Sequence, residues 1–253
     1  MRYAGHNNSQ RISPQKLAVI AGLLAGLIST QSMALRNGYS DSLDNPPSIV
    51  PSLEQQNNDA ANNPEFAPLY YNSGNALYDK GEYLEAIQSY NNALFLEPDM
   101  EFGYYNRGMS YYMLRQYKAA AEDFATVRKK NPNNTYAQIW EKVSLFKYGV
   151  AAETSPIQIK TSDESKNPFL KKWPLAVLAF LNGEITEQVL QDAAYHPNVS
   201  TQNEQYCELW FYIGQRRLAQ GRKQEAKIAF KKSIETDVRD FVEYIASGNE
   251  LAN

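Results

Sequence analysis

Few side chains in this chain have the types that acid–base, nucleophilic or metal chemistry needs. The sequence holds one cysteine, Cys207, and two histidines, His6 and His196. A single thiol can act as a nucleophile, so a thiol-dependent enzyme or hydrolase built on Cys207 is the alternative to a non-catalytic protein. Cys207 lies one helical turn before Trp210 and Phe211, however, and that register is typical of a small buried side chain.

The other candidates for chemistry are weaker. His196 stands beside Pro197 in a predicted loop, with no serine or cysteine motif nearby. The adjacent acids Glu122-Asp123 and Asp163-Glu164 would point apart on a helix, which is typical of a solvated surface. The chain has no GxGxxG, phosphate-binding loop, HExxH or CxxC pattern. We therefore predict no catalytic residue, no metal site and no cofactor.

The elements that would position any site come from one pattern that occurs twice between Ala67 and Pro132. Each marker residue of the first copy has a counterpart 34 positions later. The pairs are Tyr70 and Tyr104, Gly74 and Gly108, Leu77 and Tyr111, Ala86 and Ala120, Tyr90 and Phe124, Ala93 and Val127, Pro98 and Pro132. A period of about 34 with this pattern resembles the tetratricopeptide repeat, whose units are pairs of antiparallel helices.

The first repeat predicts helices over residues 68–79 and 83–96. Gly81 would make the turn between them as a left-handed helix cap. In the second repeat Arg115 replaces this glycine, so the sequence defines that turn less well.

Two glycines inside the repeat helices predict close helix crossings. Glycine costs up to about 1 kcal/mol against alanine within a helix, which is tolerable where a second helix approaches closely. We expect Gly74 to meet Ala86 and Gly108 to meet Ala120.

The N-terminus has the pattern of a secretory signal. Basic residues precede an apolar run over residues 17–28, and Ser32-Met33-Ala34 supplies small residues before a cut. We predict a cleaved signal peptide over residues 1–34. The apolar run is shorter than the roughly 20 residues of a spanning helix, and an uncleaved signal anchor is the alternative. No cysteine lies near the cut, so we predict no lipid anchor.

Charge excludes one class of partner. Removing residues 1–34 takes away three basic residues and no acid, so the net charge would fall from −3 to about −6. Nucleic-acid binding needs a basic surface, so we predict no nucleic-acid partner.

Four further segments follow the signal. Residues 35–66 are rich in Asn, Ser, Pro and Gln, which predicts a disordered tether before the two repeats of residues 67–134. Residues 135–200 predict degenerate helical repeats. They include a polar insertion over residues 149–167, in which a short helix over residues 151–159 is one interpretation.

The C-terminal segment, residues 201–253, predicts a further repeat and a capping helix. Trp210, Ile213, Gly214, Ala226 and Phe230 match the repeat positions. A final helix over residues 240–251 would cover the open apolar end of the stack, as terminal repeats must.

The C-terminal third of the chain carries a more specific pattern. It comprises Trp173-Pro174, the run Phe180–Thr186, Cys207-Glu208, the run Phe211–Gly214 and the run Asp240–Tyr244. With the repeats upstream, residues 67–251 resemble the bacterial exported tetratricopeptide proteins related to the NlpI lipoprotein. The resemblance implies an envelope scaffold without chemistry of its own, which brings a processing protease and peptidoglycan hydrolases together. This chain departs from that family because it lacks the lipid-accepting cysteine, which puts membrane anchoring and the specific partners in question.

In a tetratricopeptide stack the first helix of each pair lines the concave face, and positions 5, 9 and 12 point into the groove. Counting from Ala67 and Glu101, these positions are Tyr71, Asn75, Tyr78, Tyr105, Met109 and Tyr112. We predict that this trough of rings and hydroxyls binds an extended peptide or a partner helix. The two-carboxylate clamp of some relatives needs lysine at position 5, so a charged C-terminal tail is not the expected ligand, although Asn75 matches the clamp's asparagine. Packing of these tyrosines against a neighbouring helix or the tether is the alternative.

The sequence thus predicts an all-α tetratricopeptide superhelix of helix–turn–helix repeats, with degenerate central repeats and a C-terminal capping helix. The expected function is a non-catalytic periplasmic or secreted adaptor that binds other proteins or peptides through its concave groove. Homo-oligomerisation, and a purely structural envelope role without a groove ligand, remain open at this point.

Overall fold

The computed structural model of the chain describes residues 63–150 and 173–252, and every regular element in these ranges is helical. A 3₁₀ helix at Pro64–Phe66 comes first, and then α1 (Ala67–Asp79), α2 (Tyr83–Leu96), α3 (Glu101–Met113), α4 (Tyr117–Lys130) and α5 (Thr135–Tyr148). The second range holds α6 (Trp173–Asn182), α7 (Glu187–Ala193), α8 (Val199–Ala219), α9 (Lys223–Glu235) and α10 (Val242–Leu251). From α1 to α10, consecutive helices pack in pairs, which confirms the predicted all-α repeat fold. The predicted signal, nearly all of the tether and the helix over residues 151–159 lie outside the described residues.

The turns within the helix pairs share one geometry. Gly81 has a φ of +79° and donates its N–H to Tyr78 O at 2.9 Å, while Glu82 N bonds Leu77 O at 3.0 Å. The α3–α4 turn repeats both bonds around Arg115, although Arg115 is not glycine and has a φ of +61°. A side chain in the left-handed region costs roughly 1 kcal/mol or more, so this turn forms at a local cost that glycine avoids.

The glycines inside the repeat helices face aromatic rings, which corrects the expectation that they meet Ala86 and Ala120. A Cβ on Gly74 would lie 2.5 Å from the ring of Tyr90, and one on Gly108 would lie 3.1 Å from the ring of Phe124. The C-terminal unit repeats this arrangement, since a Cβ on Gly214 would lie 2.4 Å from the ring of Phe230. Gly74 and Gly214 leave no room for a Cβ, because a large ring lies against the helix backbone at each.

The core is centred on Trp140 in the degenerate third unit. Its ring lies 4.9 Å from the ring of Tyr112, 5.6 Å from that of Phe211 and 6.2 Å from that of Tyr212. Because Tyr112 belongs to α3 and the other two rings to α8, Trp140 joins the N-terminal repeats to the C-terminal ones. One continuous apolar cluster therefore extends from the second repeat to α10.

Two helices in the second half, α7 and α8, begin with side-chain caps. Thr186 accepts a hydrogen bond from Val189 N at 3.3 Å and begins α7, as its sequence position predicts. Asn198 caps α8 in the same way by accepting from Thr201 N at 3.0 Å. Gly183, with a φ of +83°, follows the end of α6.

Candidate functional site

The candidate site is the groove lined by the first helices of the repeats, α1 and α3, and continued by α5 and α8. The predicted residues lie on α1 and α3 at the expected positions. Tyr71, Asn75, Tyr78 and Tyr105 are half-buried, whereas Met109 and Tyr112 retain only 5% and 4% exposure. The groove thus divides into a first half around Tyr71, Asn75, Tyr78 and Tyr105, whose side chains are partly exposed, and a second half around Met109 and Tyr112, which is covered. Whether these six residues bind a partner stays a prediction.

A hydrogen-bond network joins α1 to α3 in the first half. Asn106 Nδ2 donates to Tyr71 OH at 3.0 Å and to Asn75 Oδ1 at 2.8 Å. Tyr90 OH, from α2, donates to the same Asn75 oxygen at 2.8 Å. Asn75 is also within hydrogen-bonding reach of Tyr71 on its own helix. The network therefore holds the amide groups of Asn75 and Asn106 in fixed positions beside each other.

Asn106 is the residue of this network that sequence reasoning missed. It stands at position 6 of the second repeat, between the positions counted as groove-facing. The available signal was a second asparagine one repeat after Asn75 and close to its register. An asparagine on a first helix that cannot serve as a cap points to a side-chain role, since Asn has low helix propensity.

The second half of the groove is covered by the chain's own last helix, α10. Glu250 forms an ion pair with Lys147 of α5 at 2.7 Å and accepts from Gln215 of α8 at 3.1 Å. At the same end, the Arg115 guanidinium donates to the backbone oxygen of Asn249 at 3.3 Å. The predicted capping role is therefore accompanied by a contact that crosses back to the second repeat.

The fit of α10 is incomplete. Tyr112, Met113, Arg115 and Tyr117 line a small cavity against α10, which contributes Ala246, Asn249 and Glu250. The hydroxyl of Tyr112 is buried beside it and has no hydrogen-bond partner among the described residues, and the same holds for Gln215 Oε1. A buried polar atom left without a partner costs about 1–3 kcal/mol, so the closed groove is not optimally filled.

Two buried carboxyl groups lie at the N-terminal end of α10, one on α8 and one on α10 itself. Glu208 of α8 and Glu243 of α10 are each 3% exposed. Glu208 accepts from Trp173 Nε1 at 3.0 Å, and Glu243 accepts from Tyr212 OH at 2.8 Å. Burial, and after it the negative charge of Glu243, raises the pKa of Glu208 to about 8. Burial likewise raises the pKa of Glu243.

Sequence reasoning assigned no role to these two acids, although one signal was present. Glu208 stands within the strongly apolar run Cys207–Ile213. An acid in such a run either lies off the buried face of the helix or is buried beside hydrogen-bond donors.

Comparison with known proteins agrees with this architecture. A family model described as "TPR repeat" matches residues 74–114, and one described as "Tetratricopeptide repeat" matches residues 101–134. The "Lipoprotein NlpI homolog" of Haemophilus influenzae is 24% identical over 192 residues, which are 74% of this chain and 59% of that protein. The chain is a tetratricopeptide repeat protein related to NlpI. Its alignment spans less than two thirds of the length of that relative.

Tetratricopeptide repeats generally bind other proteins, and the surroundings of Cys207 bear on the alternative of a thiol enzyme. Cys207 is fully buried, its sulfur lies 3.5 Å from Ser233 Oγ, and burial raises the pKa of its thiol to about 11. A thiol in this state supplies neither access nor a thiolate, so the alternative enzyme built on Cys207 loses its nucleophile. His196 Nδ1 accepts from Asn198 N at 3.1 Å and belongs to a turn.

Residues 63–150 and 173–252 contain no group of three or more His, Cys, Asp or Glu side chains that could hold a metal ion. Over the same ranges, no helix combines the length and the apolar character that crossing a bilayer requires.

Proposed function

We propose that this protein is a non-catalytic adaptor of the bacterial cell envelope that binds an extended segment of a partner protein in the first half of its groove. The observation that carries the proposal is the network of Asn75, Asn106 and Tyr71. The half-buried amides of Asn75 and Asn106 have the donor and acceptor groups that the C=O and N–H of a peptide main chain need. Such a pair recognises backbone rather than side chains, and the neighbouring tyrosine rings add apolar contact.

The envelope location is supported by two observations. The N-terminal pattern of basic residues, apolar run and small residues is that of an exported protein. The relative of 24% identity is named a lipoprotein. We propose that cleavage after Ala34 releases a periplasmic chain. Mass spectrometry of the protein from fractionated cells should then find Leu35 at the N-terminus in the periplasmic fraction, and an intact N-terminus in membranes would indicate an anchor instead.

The partner classes that the resemblance to NlpI implies are envelope proteases and peptidoglycan hydrolases, and we propose them as the first candidates. The groove is tested by placing a photo-crosslinking phenylalanine analogue at Tyr71 and, as the control, at Phe95. Phe95 is 70% exposed on α2, the second helix of the same pair. In intact envelopes, a defined partner should crosslink at position 71 and not at position 95.

A pair of variants then separates binding from folding. Asn106→Ala removes both bonds to α1, and Asn75→Ala removes the amide donor offered to the peptide. Both should reduce crosslinking from position 71 at least fivefold. The exposed Asn72→Ala on the same helix is the matched control and should leave crosslinking unchanged. Equal crosslinking in all three variants, with melting retained, would exclude the amide network as the binding element.

A further inference from the structure

We infer that α10 occupies the place of an acidic helix from a partner protein, and that such a helix displaces α10 from the second half of the groove. The inference rests on the proposed adaptor function but concerns a different part of the groove. The first half offers amides to an extended peptide. The second half already holds a helix, and the contacts of that helix define what else fits.

The groove holds α10 through acidic and carbonyl groups at the two ends of the helix. Near its start, Glu243 accepts from Tyr212 OH at 2.8 Å. Near its end, Glu250 pairs with Lys147 at 2.7 Å, and the Asn249 carbonyl accepts from Arg115. Glu243 and Glu250 are seven residues apart and therefore lie on one face of the helix. All the donors belong to the groove, so the recognised ligand is a helix with acids at positions i and i+7.

The charge beside the groove has the complementary sign. The cleft next to the end of α10 is lined by three cations, Arg115, Lys118 and Lys147, with one acid, Glu122. Cations placed near the last turn of a bound helix also interact favourably with its dipole. A partner helix with an acidic C-terminal turn would meet both features.

Arg115 links the turn between α3 and α4 to the end of α10. The equivalent turns at Gly81 and Gly221 use glycine for their positive φ, whereas Arg115 adopts a φ of +61° with a full side chain. Its guanidinium is the group that reaches across to Asn249 O, 134 residues along the chain. The unfavourable backbone at Arg115 is therefore coupled to a contact with α10 that glycine could not make.

The length and sequence of α10 allow it to detach from the groove. It has only 10 residues, with Ser247-Gly248-Asn249 in its interior, and no side chain caps its N-terminus. Isolated helices shorter than about 12–15 residues are marginal in water, so α10 depends on its docking contacts. The connection from α9, residues 236–241, contains Asp237 with a φ of +56° and is largely exposed at Asp237, Arg239 and Asp240. This segment can act as the hinge.

The interface also leaves room for a better ligand. The hydroxyl of Tyr112 and Gln215 Oε1 are buried without partners among the described residues, and a small cavity separates α3 from α10. A partner helix with a longer polar side chain in place of Ala246 could satisfy Tyr112. Displacement of α10 would thus replace an imperfect fit rather than an ideal one.

The experiment uses the full chain and a fluorescein-labelled peptide of residues 240–252 as the probe. Glu250→Lys reverses the charge that faces Lys147 while leaving every groove residue intact. Glu235→Lys makes the same charge change at an exposed position of α9 and is the matched control. By fluorescence anisotropy, the peptide should bind the Glu250→Lys protein at least tenfold more tightly than it binds the wild type or the Glu235→Lys protein. A peptide carrying Glu250→Gln should bind the opened protein at least fivefold more weakly.

Hydrogen–deuterium exchange of the wild-type protein provides a second measurement that requires no variant to fold. The amides of α10 should exchange at least tenfold faster than those of α8, because α10 opens without global unfolding. Exchange of α10 only at the rate of α8 would overturn the inference. So would equal peptide binding by all three proteins, or a Glu250→Lys protein that becomes a dimer with α10 protected, since a second copy would then be the occupant. Crosslinking from Tyr71 tests the first half separately, so either result can fail alone.

Discussion

Trp173 Nε1 donates a hydrogen bond to Glu208 at 3.0 Å inside the core, although the two residues are 35 positions apart. Tyr136 OH approaches the same carboxyl group from α5 at 3.3 Å. No cation among the described residues pairs with Glu208 in these contacts, and Glu243 adds a second carboxyl group nearby. A carboxyl group in such surroundings is more stable with its proton than without it.

The pH dependence of stability follows from the raised pKa of Glu208, which is about 8. In the unfolded chain this carboxyl group returns to its ordinary pKa of about 4.5, so the folded protein retains a proton that the unfolded chain releases. The stabilising effect is complete below the unfolded pKa and is lost as the pH rises through about 8. We expect the free energy of unfolding, measured with urea, to fall by a few kcal/mol between pH 5 and pH 9.

Glu208→Gln tests the assignment of this slope. The amide stays neutral and its oxygen can still accept from Trp173, so the variant should lose a large part of the slope. Glu243 would contribute the remainder, because its pKa is also raised. Glu235→Gln, at an exposed position of α9, should retain the wild-type slope. A Glu208→Gln protein with the wild-type slope would show that another group titrates.

Replacing the repeat glycines with alanine should change the stability of the protein by different amounts. In Gly214→Ala the new Cβ would lie 2.4 Å from Phe230, whose ring is 1% exposed and cannot move outward. We expect a loss of about 1–3 kcal/mol despite the better helix propensity of alanine. In Gly108→Ala the nearest contact is 3.1 Å, so the overlap and the propensity gain should nearly cancel. Urea unfolding of both variants measures the difference, and equal stability would contradict the ring contact as its cause.

The Arg107–Asp123 pair should behave as a buried ion pair. Arg107 donates to both oxygens of Asp123, at 2.8 and 2.7 Å, and to Asn91 Oδ1 at 2.6 Å, so it joins α2, α3 and α4. Burial raises the pKa of Asp123 in spite of the opposing effect of Arg107. Arg107→Ala would leave that carboxylate without its partner and should cost about 3 kcal/mol.

Two further variants separate the charge from the packing. Arg107→Lys keeps the charge but loses the two-bond geometry, so it should recover only part of the stability. Adding Asp123→Asn to Arg107→Ala removes the uncompensated charge and should also recover part of the loss. If the double variant is as unstable as the sum of the two single variants, the pair is not coupled.

Cys207 should resist thiol reagents in the native protein. Its thiol is fully buried and burial raises its pKa to about 11, so both access and the thiolate fraction are low. Ellman's reagent should label it at least a hundredfold more slowly in buffer than in urea. A Cys207→Ala, Ser200→Cys protein, with its thiol at an exposed position, should react at once. Rapid native labelling of Cys207 would return the thiol-enzyme alternative to consideration.

The sequence by itself determined the repeats and, closely, the limits of the two helices of the first repeat. The 34-residue spacing of Gly74, Tyr90 and Pro98 with their counterparts was enough to predict α2 over residues 83–96, and α5 begins at Thr135 as predicted. Helix periodicity, caps and turn glycines act over a few residues, so these features can be read from neighbouring positions. The groove-facing positions on α1 and α3 follow from the same local spacing.

Only the tertiary structure decided which side chains contact each other across the helices. Spacing could not show that Gly74 faces the ring of Tyr90 rather than Ala86, because both lie on the inner face of α2. Nor could it show that α10 covers Tyr112, because that contact depends on Arg115 and Asn249, which are 134 residues apart. Which side chains become buried together is set by the packing of distant helices, and a repeat pattern carries no information about contacts at that separation.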